Sequence, residues 1–209
     1  MKSGKAKYDG QTLYWESHGE GAPLVFDNRD VGRSSQATAA YTIADMADDV
    51  AGLMDGLVIE RAHLLGLSMG GMIGQEFAIR HPGRLNRLVQ YLWLFSESFR
   101  RNHQAVDQTL QMLAANPNPV SAAAYQRQAD AYVKHDALDR LGQVTAPTIV
   151  ITGEQDRLTP PWIMREVAEA IPNAQFQLIE GDGSSHVMPL ERPDDFNRTV
   201  LAFLQGQDE

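Results

Sequence analysis

Ala62-His63-Leu64-Leu65-Gly66-Leu67-Ser68-Met69-Gly70-Gly71 is an apolar run that ends in Gly-x-Ser-x-Gly. The apolar run reads as a strand, and the residues after Ser68 read as the opening of a helix. A serine between glycines on a sharp strand-to-helix turn is pushed out of the sheet with its oxygen exposed. The flanking glycines let backbone and helix approach where a Cβ would clash. Ser68 is therefore a candidate nucleophile.

Working outward, strands and helices alternate. Before the serine, Thr42-Ile43-Ala44-Asp45 opens a helix, with threonine as cap and an acid in its first turn. Ile43, Met46, Val50, Leu53, Met54 and Leu57 share one face at helical spacing. After it come helix Met69–Arg80, stopped by Pro82, and strand Leu85–Leu92. Near the N-terminus, Asp9-Gly10 separates strand-like runs at Lys5–Tyr8 and Gln11–Glu16 and suits a two-residue hairpin turn. Pro23–Phe26 is a further short strand.

The alternation breaks over residues 93–142. Val106, Leu110 and Leu113 suggest one helix and Ala122 to Val133 another, with Asn116-Pro117-Asn118-Pro119 between them. This segment is expected to be a helical cap, inserted into a core formed by residues 1–92 and 143–209. Alternation then resumes with strand Thr148–Thr152, helix Trp162–Ile171 and strand Gln175–Ile179. The last helix has Pro193 in its first turn and Phe196, Val200, Phe203 and Leu204 on its apolar face. The pattern predicts an α/β protein, with a mostly parallel sheet flanked by helices.

Serine needs a base within hydrogen-bond reach, and the base needs a group to orient it. Both residue types stand where strands end. Asp156 follows strand Thr148–Thr152, in Gly153-Glu154-Gln155-Asp156-Arg157-Leu158-Thr159-Pro160. His186 follows strand Gln175–Ile179, in Gly181-Asp182-Gly183-Ser184-Ser185-His186. Asp156 alone could cap the next helix, and His186 alone could be a polar loop residue. The order Ser, acid, His at successive strand ends favours the joint catalytic reading.

Composition narrows the function. The chain has 209 residues, a net charge of -9 and no cysteine. The acidic balance argues against a nucleic-acid surface. Without cysteine there is no disulfide, thiolate metal site or cysteine nucleophile. The positive N-terminus is followed by no apolar core, and no run of about 18 apolar residues occurs. The expected location is the cytoplasm, with no membrane partner.

With these motifs in place, the chain resembles the α/β-hydrolase superfamily. It is similar in particular to small bacterial esterases and lactonases, the group of 3-oxoadipate enol-lactonases and acyl-homoserine-lactone hydrolases. Phe26-Asp27-Asn28-Arg29-Asp30-Val31-Gly32-Arg33-Ser34 resembles that family's D-x-R-G-x-G-x-S loop. Asp45 to Gly74, Ala146 to Pro160 and Gly183 to Pro193 also fit. The resemblance implies a shortened α/β-hydrolase fold, a small cap and no metal or organic cofactor.

One departure is large. Family members usually carry an HG-type loop, a helix and a fourth strand after their third strand. Here Pro23-Leu24-Val25-Phe26 runs straight into Asp27, so roughly thirty residues of the usual pattern are missing. The merged strand is expected to fill one slot of a narrower sheet, with helix Ile43 to Leu57 crossing over to strand Ala62–Leu67. The missing loop normally supplies one of two oxyanion donors. The other comes from the residue after the nucleophile, here Met69, at a helix N-terminus. The Asn28-Arg29-Asp30-Val31 segment is the expected replacement.

Other readings are less specific. Asn28, Trp93 and Val187 are candidate substrate contacts. Trp93, Phe95, Tyr125, Tyr132, Trp162 and Met188 either line an acyl pocket or simply pack. Asp45, Asp48 and Asp49 read as the solvated face of their helix. The expected activity is serine hydrolysis of carboxylic esters or lactones with short acyl groups. The alternatives are a weak or inactive binding protein lacking a complete oxyanion hole, and a cofactor-free perhydrolase or C–C hydrolase. A shortened sheet exposes an edge, so a homo-oligomer is a possible partner arrangement.

Overall fold

The structure, a computed structural model, describes residues 1–18, 24–91 and 95–206. It divides into two compact units, Met1–Arg61 with Asn116–Asp136, and Ala62–Ala115 with Ala137–Glu209.

In the first unit, β1 (Lys2–Tyr8) and β2 (Gln11–Ser17) form the expected hairpin. Asp9 and Gly10 both have positive φ, at 41° and 76°, the geometry a two-residue hairpin turn requires. β3 (Leu24–Phe26) pairs antiparallel with β2. Helix α1 (Ile43–Gly56) begins with a complete capping box: the Thr42 hydroxyl accepts from Asp45 N, and the Asp45 carboxylate accepts from Thr42 N. α1 packs on β1, and Gly52 makes the approach possible, since a Cβ there would sit 2.0 Å from Cγ of Tyr8. Ala6, Leu13 and Leu53 form the buried centre, with Trp15, Leu24, Phe26 and Leu57 against them.

This arrangement corrects the expected place of the merged strand. β3 belongs to a three-stranded antiparallel sheet and fills no slot of the parallel sheet. Its three residues place Leu24 and Phe26 against the Leu13–Leu53 cluster, so its apolar face is already used there. Consequently α1 is not a crossover between two strands of one parallel sheet.

The acidic face of α1 is also corrected. Asp45 is exposed, but Asp49 is 2 % exposed and accepts two hydrogen bonds from Arg29, at 2.6 and 2.7 Å. The paired guanidinium lets the carboxylate sit inside; an unpaired charge there would cost several kcal/mol. A second pair lies close by in sequence. Asp30, buried and at φ 66°, accepts from Arg127 Nε and Nη2 at 2.8 and 2.6 Å and from Ala37 N at 2.9 Å. Arg127 lies on α5 (Ala122–Val133), so this pair ties α5 to the loop after β3.

The second unit holds four parallel strands in the order β4 (Ala62–Leu67), β5 (Leu85–Tyr91), β6 (Thr148–Gly153) and β7 (Gln175–Ile179). β6 is buried at every residue, as an inner strand covered on both faces must be. β4 leaves Leu65 and Leu67 44 % and 42 % exposed, the mark of an edge. Helix α2 (Met69–Arg80) packs on β4 and β5, with Gly74 seated on Leu88. Arg140, in the 3-10 turn Leu138–Gln143, holds α2 through a two-pronged bond to Glu76 at 3.0 and 2.6 Å. Helix α6 (Pro161–Ala170) covers β6. Helix α8 (Pro193–Gln205) contributes Phe196, Val200 and Phe203 to a core with Val89, Ile149, Ile151 and Ile179.

The segment after β5 is helical, as expected, in α3 (Glu97–Arg101) and α4 (His103–Ala114). These two helices group with the second unit and α5 with the first. Among the described residues no helix is long and apolar enough to cross a membrane.

Candidate active site

All strands of the second sheet are parallel, so the loops leaving β4, β6 and β7 emerge on one edge. Ligand sites of parallel α/β sheets form at the carboxyl ends of strands. Ser68, Asp156 and His186 occupy those three loops.

Ser68 links the last residue of β4 to the first of α2 and has φ 54° and ψ -125°. Few L-residues adopt this conformation, and such strain concentrates at functional sites. The glycines make it possible. A Cβ at Gly66 would lie 2.2 Å from Gly70 O, so strand and helix meet backbone to backbone. Ser68 also differs from the other serine and threonine N-caps among the described residues. Thr42, Ser96 and Ser121 each turn a hydroxyl onto a backbone N–H of the helix they precede; Ser68, although it precedes α2, makes no such bond. Met69 is the first residue of α2, where backbone N–H groups have no intrahelical partner.

Asp156 and His186 meet directly. His186 Nδ1 lies 2.6 Å from Asp156 Oδ2, and both side chains are closed to solvent. Three donors fix the carboxylate: Leu158 N and Thr159 N on Oδ1, both at 2.9 Å, and Thr159 Oγ1 on Oδ2 at 3.0 Å. Thr159 Oγ1 is also 3.5 Å from His186 Nδ1. The acceptor Asp156 assigns the ring proton to Nδ1, leaving Nε2 as the basic nitrogen.

Burial pushes both groups toward their neutral forms. It drives the His186 imidazolium well below its ordinary range. It raises the Asp156 carboxyl, against the pull of the hydrogen bonds from Thr159 and Leu158. A ring with no solvent exposure loses most of its hydration on charging, which disfavours the imidazolium. A neutral imidazole with Nδ1 held is the form a general base requires.

The loops of Asp156 and His186 are joined by backbone. A Cβ at Gly153 would stand 2.0 Å from Ser184 O, and Gln155 N donates to that same oxygen at 3.0 Å. Gly181 and Gly183 take φ of 90° and 75° and let the chain fold back before the histidine. Ser184 Oγ donates to Gly181 O at 2.6 Å, so the turn holds itself.

The remaining expectations fare differently. Val187 is wholly buried beside His186, and its N–H donates to Ser185 Oγ at 3.0 Å. Met188 is buried in the core of the second unit. Tyr125, Tyr132 and Trp162 are 64 %, 40 % and 68 % exposed, so none of them is a core residue. Phe95 stacks on Phe99 with ring centroids 4.3 Å apart. Trp93 lies outside the described residues. Asn28 belongs to the first unit, where its carbonyl accepts from Val31 N, and the adjacent Arg29 guanidinium is committed to Asp49.

Sequence reasoning singled out neither Thr159 nor the contact of Gly153 with Ser184. The first had a local signal, since a threonine three residues after an aspartate is placed to bond it within one turn. The second joins residues about thirty apart and had none.

Comparison with known proteins agrees with this architecture. Residues 24–112 match the sequence model of the alpha/beta hydrolase fold family. RutD of Caulobacter sp. (strain K31), named as a carbamate hydrolase, is 28 % identical, with 88 % of this chain and 81 % of that protein aligned. An esterase from Thermogutta terrifontis superposes with a TM-score of 0.80 at 25 % identity, covering 99 % of each chain. The enol-lactonase from Burkholderia xenovorans LB400 superposes with a TM-score of 0.84 at 24 % identity, covering 97 % of this chain and 100 % of that one. The chain has the α/β-hydrolase fold, and its sequence is similar to members of that superfamily.

Proposed function

We propose that the protein is a serine hydrolase that cleaves small carboxylic esters or lactones through Ser68, His186 and Asp156. The observation that carries this reading is the buried 2.6 Å contact of Asp156 with His186 Nδ1, on the same sheet edge as a serine held at positive φ with its hydroxyl off the helix cap.

In this mechanism His186 Nε2 takes the proton from Ser68 Oγ as that oxygen attacks the substrate carbonyl. The Met69 N–H, at the positive end of α2, donates to the oxyanion. His186 then returns the proton to the leaving alcohol oxygen as the acyl bond breaks. In the second half, His186 takes a proton from water as the water oxygen adds to the acyl carbon, then gives that proton to Ser68 Oγ as the bond between Oγ and the acyl carbon breaks and the acid departs. Asp156 keeps the ring in the Nδ1–H tautomer and steadies its charged form. Val187, next to His186, enters this proposal as a substrate contact, and no cofactor takes part.

Similarity to an esterase and to a protein named as a carbamate hydrolase supports an acyl-transfer reaction and leaves the leaving group open. The test is turnover of a panel of p-nitrophenyl esters, small lactones and aryl carbamates by wild type and Ser68→Ala. Hydrolysis of at least one class, abolished by the substitution, supports the reading. Equal background rates for both proteins overturn it.

A further inference from the structure

Glu191 lies on the short helix α7 (Met188–Glu191), just after the loop that carries His186. Its carboxylate gathers three donors. Ser185 Oγ reaches Oε1 at 2.5 Å, Ser96 N reaches the same oxygen at 2.9 Å, and Ser96 Oγ bonds Oε2. The two serines come from the two separate segments of the second unit's sequence. Ser185 immediately precedes His186. Ser96 caps α3 by accepting from Phe99 N at 3.1 Å, and its Oγ lies 2.8 Å from Ser98 Oγ. Ser96, Ser185, His186 and Val187 are all buried.

The bonds form a closed circuit. Glu191 N donates to Val187 O at 3.1 Å, Val187 N donates to Ser185 Oγ, and Ser185 Oγ donates to Glu191 Oε1. The backbone on both sides of His186 is thus held through one carboxylate, and that carboxylate is anchored to the first residues of the helical segment after β5. Hydrogen bonds to a charged acceptor are the stronger kind. A loop whose tip must hold an imidazole within a few tenths of an ångström gains from such a brace.

We infer that Glu191 is a positioning residue for His186, coupling the Ser185–Val187 loop to the Ser96 cap of α3. It does not touch the reacting atoms. It sets the angle at which the ring meets Asp156, and through Ser96 it makes that angle depend on where α3 sits. This inference rests on the proposed hydrolase reading for its effect on reactivity, but not for its effect on the ring.

The experiment compares wild type with Glu191→Ala, Glu191→Gln and the milder Ser96→Ala, each checked for folding by circular dichroism and melting. Two quantities are read: the rate of labelling by a fluorophosphonate, and the far-downfield NMR signal of the proton between His186 Nδ1 and Asp156. Glu191→Ala is expected to label about tenfold more slowly while folded, with the downfield proton broadened by exchange. Glu191→Gln, which keeps one acceptor oxygen, recovers most of both. Ser96→Ala, which keeps the Ser96 N–H bond, falls between them.

A folded Glu191→Ala with wild-type labelling and a sharp proton overturns the inference. So does a labelling loss that merely follows the folded fraction. If Glu191→Ala does not fold, the other two variants carry the same comparison. A wild type that takes no label, yet has a downfield proton that broadens without Glu191, refutes the hydrolase reading and leaves the positioning role standing.

Discussion

Oδ2 of Asp156 stands 2.6 Å from Nδ1 of His186 in a site where neither side chain reaches solvent. The pair is built from two loops that a single glycine, Gly153, allows to touch. Its chemistry depends on the tautomer it enforces, so Asp156→Asn is the informative change. An amide that donates toward Nδ1 favours the wrong tautomer. Turnover, and fluorophosphonate labelling with it, is expected to fall by about 10⁴ while the melting profile stays close to wild type. A loss below tenfold would mean that Asp156 only shapes its loop.

Thr159 completes the carboxylate's shell. Thr159→Val removes the hydroxyl that donates to Oδ2 and keeps the backbone N–H on Oδ1. The expected loss is about tenfold in kcat/KM, the lower end of what a hydrogen bond to a charged acceptor is worth. The check is a parallel measurement of Thr159→Ser, which restores the donor and should restore most of the rate.

The burial of His186 fixes the sign of the pH response. Its folded pKa is lowered, so the neutral ring persists below the range where a free imidazole charges. Activity is therefore expected to stay level from neutral pH down past pH about 6.5, and to fail only in more acid solution. Stability follows from the same shift. The unfolded chain binds a proton at His186 before the folded chain does, so this contribution is fully present above the unfolded value and is lost as pH falls toward the folded one. Asp156, raised by burial, acts in the opposite sense over the carboxylate range. Melting curves from pH 8 to 4 for wild type and His186→Ala test the claim. The variant should lose less stability than wild type between pH 6.5 and 5.

Gly153→Ala places a methyl 2.0 Å from Ser184 O, which is backbone and cannot swing aside. The His186 loop must move. Labelling should drop by at least tenfold, with a lower melting temperature, whereas Gly142→Ala, where a Cβ meets nothing within 4 Å, should leave labelling unchanged. Matched labelling rates for the two variants would show that the loops tolerate displacement.

The first unit has its own test. Arg127→Met leaves the Asp30 carboxylate, whose side chain has no solvent exposure, without its two-pronged partner. The melting temperature should fall, and the double variant Arg127→Met with Asp30→Asn should recover part of the loss, because the stranded charge is gone. Additive losses in the double variant would contradict the pairing.

How much of this was legible in the sequence depends on the range of each interaction. Local signals carried well. Asp9-Gly10 demanded a hairpin and Thr42 with Asp45 a capping box, and both form. Strands Ala62–Leu67 and Gln175–Ile179 and helix Ala122–Val133 fall where their patterns place them. The Gly-x-Ser-x-Gly turn was readable because its glycines and its strain lie within five residues. Long-range pairing was not. Asp49 looks like any acid on a helix face until Arg29 folds against it. The Glu191 carboxylate meets Ser96 across 95 residues with no periodicity to announce it. The place of β3 escaped for a related reason, since a three-residue strand does not declare its neighbour.

The central claim is that Ser68 is a nucleophile activated by His186. Intact mass after incubation with a fluorophosphonate, for wild type beside Ser68→Ala, tests it even when turnover is slow. The account predicts a single adduct on the wild type and none on the variant. A folded wild type that takes no adduct, or a Ser68→Ala protein that takes the same one, would contradict it.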